Sequence, residues 1–150
     1  MSVNRYRLAP GAIRTMEEMD TAAQVSGLES DLIELVKIRA AQVNGCAYCV
    51  QMHSSEARDR GETAQRIADL ANWRDSALFT ARERGALAWT DAVMPAAGGV
   101  DDAALHTAGE HFDEEALVRL TLVALAVDAW HRIAICFRHV QPANAGNAAA

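Results

Sequence analysis

The chain is 150 residues long, 51% hydrophobic, and carries 14 Lys+Arg against 20 Asp+Glu, a formal net charge of −6. A chain of this length buries roughly two thirds of the surface its unfolded form exposes, so one domain can fold on its own core without a metal or a disulfide. The acidic balance (pI near 5.3) and scattered cations exclude a nucleic-acid partner, because no basic run exists to release counterions from phosphates. The most apolar run, residues 117–127, is interrupted by Arg119 and stopped by Asp128, too short for a membrane span. The first twenty residues lack the apolar core of a secretory leader. The expected location is the cytoplasm, where thiols are kept reduced.

With only 3 prolines and 9 glycines, the apolar spacing is helical rather than alternating. Pro10 and Gly11 open a helix expected to reach about Val25, ended by Ser26-Gly27. Ser30 and Asp31 stand at the N-cap of a second helix, LIELVKIRAAQVN, which runs to the Asn44-Gly45 stop. It is apolar on nearly every side, the mark of a helix buried in its own domain or covered by another subunit. One domain of this size can hardly cover every side, so an oligomer is expected. A third helix spans Cys46 to Gly61; Thr63 caps a short fourth to about Ala71, and Trp73 follows in a loop. Thr80 to Val93 forms a fifth with Leu87 and Trp89 turned inward, closed by Pro95 and Gly98-Gly99. Asp101-Asp102 cap a sixth to about His111, and Asp113 opens the last, Glu114 to about Arg138. The small, polar ending HVQPANAGNAAA reads as a frayed tail, disordered over 140–150. Without repeat or linker, the expectation is an all-α single domain.

Two of the three cysteines stand close together in NGCAYCVQMH, with His53 four residues after Cys49. Such a pair can clip a metal, form a structural disulfide, or carry redox chemistry. A reducing compartment disfavours the permanent disulfide. Zinc takes four ligands, usually from two separated pairs, and here His53 and Cys136 would have to complete the set. The hairpin geometry favours the third reading. Glu34 lies about ten residues before the turn, roughly 15 Å of helix axis, and His53 about eight after it, roughly 12 Å, so the two can face each other. Cys49 and His53 share a helix face, with Cys46 one turn nearer the helix start. The order Glu34, His53, Cys49, Cys46 is a proton relay ending on sulfur, and the helix N-terminus favours a thiolate there. A glutamate behind the histidine would fix its tautomer, and the base would activate Cys49 first, leaving Cys46, the more exposed sulfur, as the target of an incoming reductant.

Blander roles are assigned elsewhere. Glu34 has Lys37 one turn on as a rival partner. Cys136 is expected to be a buried residue of the last helix, and His131 a packing or hydrogen-bonding residue. His106, His111 and His139 form no pattern. Trp73, Trp89 and Trp130 are expected as core or interface anchors, and Met16, Met19 and Met94 as core.

The run from Glu34 through VKIRAAQVNGCAYCVQMHSSEARDRGE, together with the ending DAWHRIAICFR, resembles the alkylhydroperoxidase AhpD-like proteins of the carboxymuconolactone decarboxylase superfamily, over about Leu28 to Arg138. Glu34, Cys46, Cys49 and His53 match that family's redox motif in type and spacing. The resemblance implies the family's all-helical fold assembled as a homotrimer or homohexamer, with no cofactor. It implies a peroxidase in which Cys49 reacts with a small hydroperoxide and passes through sulfenic acid. Cys46 then donates a proton and closes the disulfide, His53 and Glu34 serve as the relay, and a thiol reductant such as a lipoyl-bearing protein restores the dithiol. The superfamily's other named activity, a lactone decarboxylase lyase, does not rely on a CxxC. A redox-sensing or zinc-binding protein is the non-enzymatic alternative. Two positions depart: Tyr48 stands where the family's best-defined peroxidase has histidine, and His131 where many relatives have asparagine.

Overall fold

The computed structural model describes residues 9–95 and 99–137. Among these, seven α-helices and one 3-10 turn occur and no strand: α1 (Pro10–Gln24), α2 (Ser30–Val43), α3 (Ala47–Asp59), α4 (Ala64–Asp69), the 3-10 turn Leu70–Asn72, α5 (Ala81–Val93), α6 (Asp102–Gly109) and α7 (Glu114–Cys136). The fold is all-α, as expected. The expected features at Gly98, Arg138 and His139 and over 140–150 lie outside the described residues.

Most helix starts follow from side chains that satisfy the unpaired amides of a first turn. Thr63, Asp101 and Asp113 each accept the backbone N–H three residues on. Thr80 does the same, and the Glu83 carboxylate returns the bond to the Thr80 amide, a capping box. The start of α2 differs from expectation. Glu29 holds the cap position without a side-chain bond, and Ser30 and Asp31 lie inside the first turn, where the Asp31 carboxylate complements the helix dipole.

Helix α2 is the centre of the molecule, flanked by α3, α5 and α7, while α1 lies along α7. From Leu32 to Ala41 every residue except Arg39 is buried. Leu35 and Ile38 pack with Leu70, Trp73 and Leu87 in one apolar cluster. Leu32, Ile33 and Val36 join Trp89, Phe112 and Leu120 in another. One chain therefore does cover α2, which corrects the expectation that a neighbouring subunit is required to do so. The physical reason is that three helices converge on it. The apolar surface left open is instead on α7, where Val118, Leu122 and Leu125 are exposed at helical spacing, and Leu105 of α6 is exposed as well.

A partly buried ion cluster fastens α2 to α5. Arg39 makes two bonds to Asp91, Nε to Oδ1 at 2.5 Å and Nη2 to Oδ2 at 3.1 Å. Asp91 Oδ2 also accepts from Arg74 at 2.6 Å and from the Trp73 indole at 3.3 Å. Removing the carboxylate strands a largely enclosed guanidinium. Asp91→Ala is expected to cost about 2–3 kcal/mol, below the fully buried limit because water still reaches the cluster. Denaturant unfolding followed by circular dichroism measures it, and a loss under about 0.5 kcal/mol would mean that solvent already screens the pair.

Candidate active site

The turn between α2 and α3 builds the site. Gly45 takes φ +65, a left-handed conformation that only glycine adopts at little cost. It lets the Gly45 amide bond Gln42 O at 3.1 Å and the Cys46 amide bond Ala41 O at 3.0 Å, the double closure of a Schellman end. The residue that completes this closure also begins the next helix. Cys46 is the N-cap of α3, and its sulfur accepts the Cys49 amide at 3.3 Å. Cys46 and Cys49 are joined as a disulfide with Cα atoms 5.2 Å apart.

Both cysteines are buried, Cys46 at 5% and Cys49 at 2% exposure. Cys46 is therefore not the markedly more exposed sulfur that the sequence suggested, because its side chain turns back over the first turn of α3 as a cap. Cys49, not Cys46, lines a cleft of about 420 Å³. Helix α3 adds His53 and Glu56 to its wall, α7 adds Trp130 and His131, and α1 adds Glu17 and Asp20. Cys136 is free and exposed rather than buried. It lies about 200° around α7 from the buried Ala134, on the outer side. It shares no ligand cluster with Cys46, Cys49 and His53, so the four-ligand zinc set is not assembled among the described residues.

His53 is buried and bonded at both ring nitrogens. Its Nδ1 lies 3.2 Å from Glu56 Oε2, and its Nε2 lies 3.4 Å from His131 Nε2. Glu34 is nearby: one of its carboxylate oxygens, one of Glu56 and a ring nitrogen of His53 all lie within 4.8 Å of one another. The hairpin thus brings Glu34 to the height of His53, yet the carboxylate bonded to the ring is Glu56. Glu34 Oε1 is taken by Arg60 at 2.9 Å and by Lys37 at 3.2 Å, and its buried Oε2 has no hydrogen-bond partner. The Lys37 pairing, weighed as a rival role for Glu34, is present. Glu34, His53 and Glu56 are the one trio among the described residues that could surround a metal ion, and two cations already occupy Glu34.

Sequence reasoning missed Glu56, although its place three residues after His53 is a helical contact spacing. His131 was assigned to hydrogen bonding or packing, and it does hydrogen-bond, but on the base itself. That contact crosses 78 residues of sequence and leaves no local signal. Behind it, Asn44 Nδ2 lies 3.2 Å from His131 Nδ1 and donates to Asp128 Oδ1 at 2.9 Å.

Burial pushes the His53 imidazole below its ordinary range, partly offset by Glu56. Burial, aided by the neighbouring His53 and opposed by Asp128, pushes His131 down to about 4. A histidine whose folded value is depressed loses nothing above its unfolded value near 6.5. As pH falls from there towards 4, the unfolded chain takes up the proton first and native stability declines. His131→Gln is expected to remove about 2–3 kcal/mol of that acid-side loss. Urea unfolding at pH 7, 5.5 and 4 measures it, and parallel pH profiles for both proteins would contradict the assignment.

Comparison with known proteins agrees with this fold. The model of the "Carboxymuconolactone decarboxylase family" matches residues 10–92, more than half of the chain. The chain is 37% identical over 134 residues to the uncharacterized protein YdfG of Bacillus subtilis, covering 89% of this chain and 91% of that one. It is 35% identical over 96 residues to the uncharacterized YnjA of Escherichia coli, covering 64% of this chain and 53% of the relative's length. Among solved structures, it superposes on ATU0492 of Agrobacterium tumefaciens, a protein of unknown function suggested to be the antioxidant defence protein AhpD, with a TM-score of 0.89 and 38% identity over 95% of this chain and 98% of that one. The debrominase Bmp8, solved in complex with 2,3,4-tribromopyrrole, shares the fold at a TM-score of 0.78 and 16% identity, over 87% of this chain and 70% of that one. The chain belongs to the carboxymuconolactone decarboxylase family and has the all-α, AhpD-like fold.

Proposed function

We propose that the protein is a thiol-dependent peroxidase and disulfide oxidoreductase of antioxidant defence, cycling Cys46 and Cys49 between dithiol and disulfide. The observation that carries this reading is Cys49 in the wall of the cleft with His53 beside it there and Cys46 at bonding distance behind. The suggested antioxidant role of ATU0492 lends support. His53, neutral because burial lowers its proton affinity, takes the Cys49 proton. The thiolate attacks the distal oxygen of a hydroperoxide, the O–O bond breaks, and the alcohol leaves with the proton from His53. Cys49 is now a sulfenic acid. The Cys46 thiol attacks it, the S–O bond breaks, water leaves, and the disulfide forms. A thiol reductant, such as a dihydrolipoyl group, returns two electrons and two protons by exchange. Glu56 stabilises the His53 imidazolium directly, and Glu34 supports it from one layer behind.

The cleft also bears on the alternatives. Its wall carries Glu17, Asp20 and Glu56 against Lys37, and that ammonium is already paired with Glu34. A carboxylate-bearing lactone would meet a negative wall, so uncharged hydroperoxides fit better than the substrate of the lyase reading. A sensor without turnover would not need a cleft beside the reactive sulfur. No helix among the described residues is long and apolar enough to cross a membrane.

Peroxide consumption driven by dihydrolipoamide, thioredoxin or glutathione systems tests the reading. Cys49→Ser is expected to abolish turnover. Cys46→Ser should trap a sulfenic acid on Cys49 that a dimedone-type probe labels. His53→Gln should slow Cys49 oxidation roughly a hundredfold, and Glu34→Gln, whose amide oxygen still accepts from Arg60 and Lys37, should slow it less. Equal labelling in the two cysteine variants would reject the assignment of roles, and absence of oxidation in both would reject the peroxidase.

We further propose that second copies of this chain cover the stripe of Val118, Leu122 and Leu125, giving a trimer or hexamer. Light scattering at micromolar concentration is expected to report such an oligomer, and Leu122→Glu to yield a monomer with unchanged helix content. A monomeric parent protein would remove the claim.

A further inference from the structure

The hydrogen bonds around His53 and His131 admit one arrangement of protons. The side-chain nitrogen of Asn44 lies 2.9 Å from Asp128 Oδ1 and 3.2 Å from His131 Nδ1. A carboxylate only accepts, so the amide presents its NH2 to Asp128. Its second N–H then meets His131 Nδ1, which must be the bare nitrogen, and the ring proton of His131 sits on Nε2. At the other end, His53 Nδ1 lies 3.2 Å from Glu56 Oε2. That nitrogen donates to the carboxylate, which leaves a lone pair on His53 Nε2. The two rings meet through these remaining nitrogens, 3.4 Å apart. The N–H of His131 therefore donates to the lone pair of His53. Every donor faces an acceptor along Asn44, His131, His53 and Glu56, and the chain runs in one direction.

An extra proton anywhere in this chain breaks it. On His131 Nδ1 it would oppose the Asn44 amide, and on His53 Nε2 it would oppose the N–H of His131. Both rings are therefore held neutral by geometry, consistent with the burial that lowers the proton affinity of each. The reversed tautomers would set donor against donor at Asn44 and acceptor against acceptor at Glu56.

We propose that His131 is a positioning residue whose Nε2–H occupies, in the disulfide state, the lone pair of His53 that receives the Cys49 proton in the dithiol state. The proposal rests on the reading of Cys46 and Cys49 as a redox pair. In the disulfide neither sulfur carries a proton, and His131 supplies the donor that the buried nitrogen would otherwise lack. After reduction, the Cys49 S–H competes for the same lone pair. When that proton moves from Sγ to Nε2, no electrons move, and the product is a thiolate beside an imidazolium. The His53–His131 contact then holds two facing N–H groups and opens. The groups that bias this step come from each element around the rings. They are Glu56 of α3; Glu34 and Lys37 of α2, with Arg60 on Glu34; Asp128 beside His131 on α7; and Glu17 and Asp20 of α1 across the cleft.

Side-chain nitrogen NMR of the oxidised protein at pH 7 reads the tautomers without any mutation. The expected spectrum has the proton of His53 on Nδ1 and that of His131 on Nε2, with both rings neutral. The opposite tautomer in either ring overturns the proposal. Titration of His53 in oxidised His131→Leu and His131→Gln supplies the second readout. Leucine fills the space but donates nothing to the neutral ring, so the His53 midpoint should rise by about one pH unit. Glutamine can accept from Asn44 and donate to His53, and should hold the midpoint near that of the parent. An unmoved midpoint in His131→Leu, or no rescue by glutamine, rejects the role. The outcomes separate the two readings: the expected tautomers and shift in a protein with no peroxide turnover would leave this proposal standing and remove the peroxidase. Full turnover with reversed tautomers would do the opposite.

Discussion

The bond from the Cys46 amide to Ala41 O is the constraint from which the rest of the site follows. It ends α2 and, in the same residue, starts α3, so no slack exists between the helix that carries Glu34 and Lys37 and the helix that carries Cys49, His53 and Glu56. A longer connection would let α3 slide or rotate on α2, and a rotation of one residue, about 100°, would turn Cys49 and His53 away from the cleft. Only Gly45, in its left-handed conformation, permits so short a joint. The preceding Asn44 is fixed by the same turn, and its amide reaches across to Asp128 and His131 of α7. The position of the sulfur, the height of the base and the contact to α7 are thus consequences of three consecutive residues.

Within that frame, the central helix carries two charges where apolar residues would pack with less cost. Glu34 and Lys37 are both buried, and Arg60 reaches in to the same oxygen of Glu34 from the end of α3. Buried charges are tolerated when paired and are seldom a net source of stability. The pairing holds the Glu34 carboxylate within 4.8 Å of a ring nitrogen of His53 and gives the ammonium of Lys37 its counter-charge, so this stretch of α2 serves the site more than the core. The fastening of α2 to α5 by Arg39 and Asp91 and the two apolar clusters on either side of α2 carry the structural load instead.

Much of this was legible in the sequence. Helical periodicity and the caps Thr63, Asp101 and Asp113 marked the element order, because capping is a local matter of a few residues. The height argument across the Asn44-Gly45 turn brought Glu34 to His53, since the rise of a helix is constant. What local rules cannot supply is rotation about a helix axis and contacts between distant segments. Cys136 was expected inside and lies outside, and Cys46, expected to be the more exposed sulfur, is buried like Cys49, which is the one that meets the cleft. Glu56 was overlooked because Glu34 seemed to fill the same role from across the hairpin. His131 could not be found from spacing, because its partner lies on another helix far away in the chain. The all-round apolar pattern of α2 pointed to a second subunit, because the convergence of three helices on one cannot be seen in a linear pattern.

Among the residues hydrogen-bonded to the two rings, Glu56 is the exposed one: its side chain is 46% exposed while that of His53 is 8% exposed. The carboxylate therefore spans the boundary between a dry interior and bulk water. A proton arriving on the buried imidazole has an outlet to solvent at the Nδ1 end, on the far side of the ring from Nε2. Glu56 also stands in the wall of the cleft, so proton exchange with buffer and entry of a substrate share one opening. An apolar molecule that fills the cleft therefore also dries this carboxylate, and recharging of the base follows both the opening of the cleft and the freedom of one surface side chain.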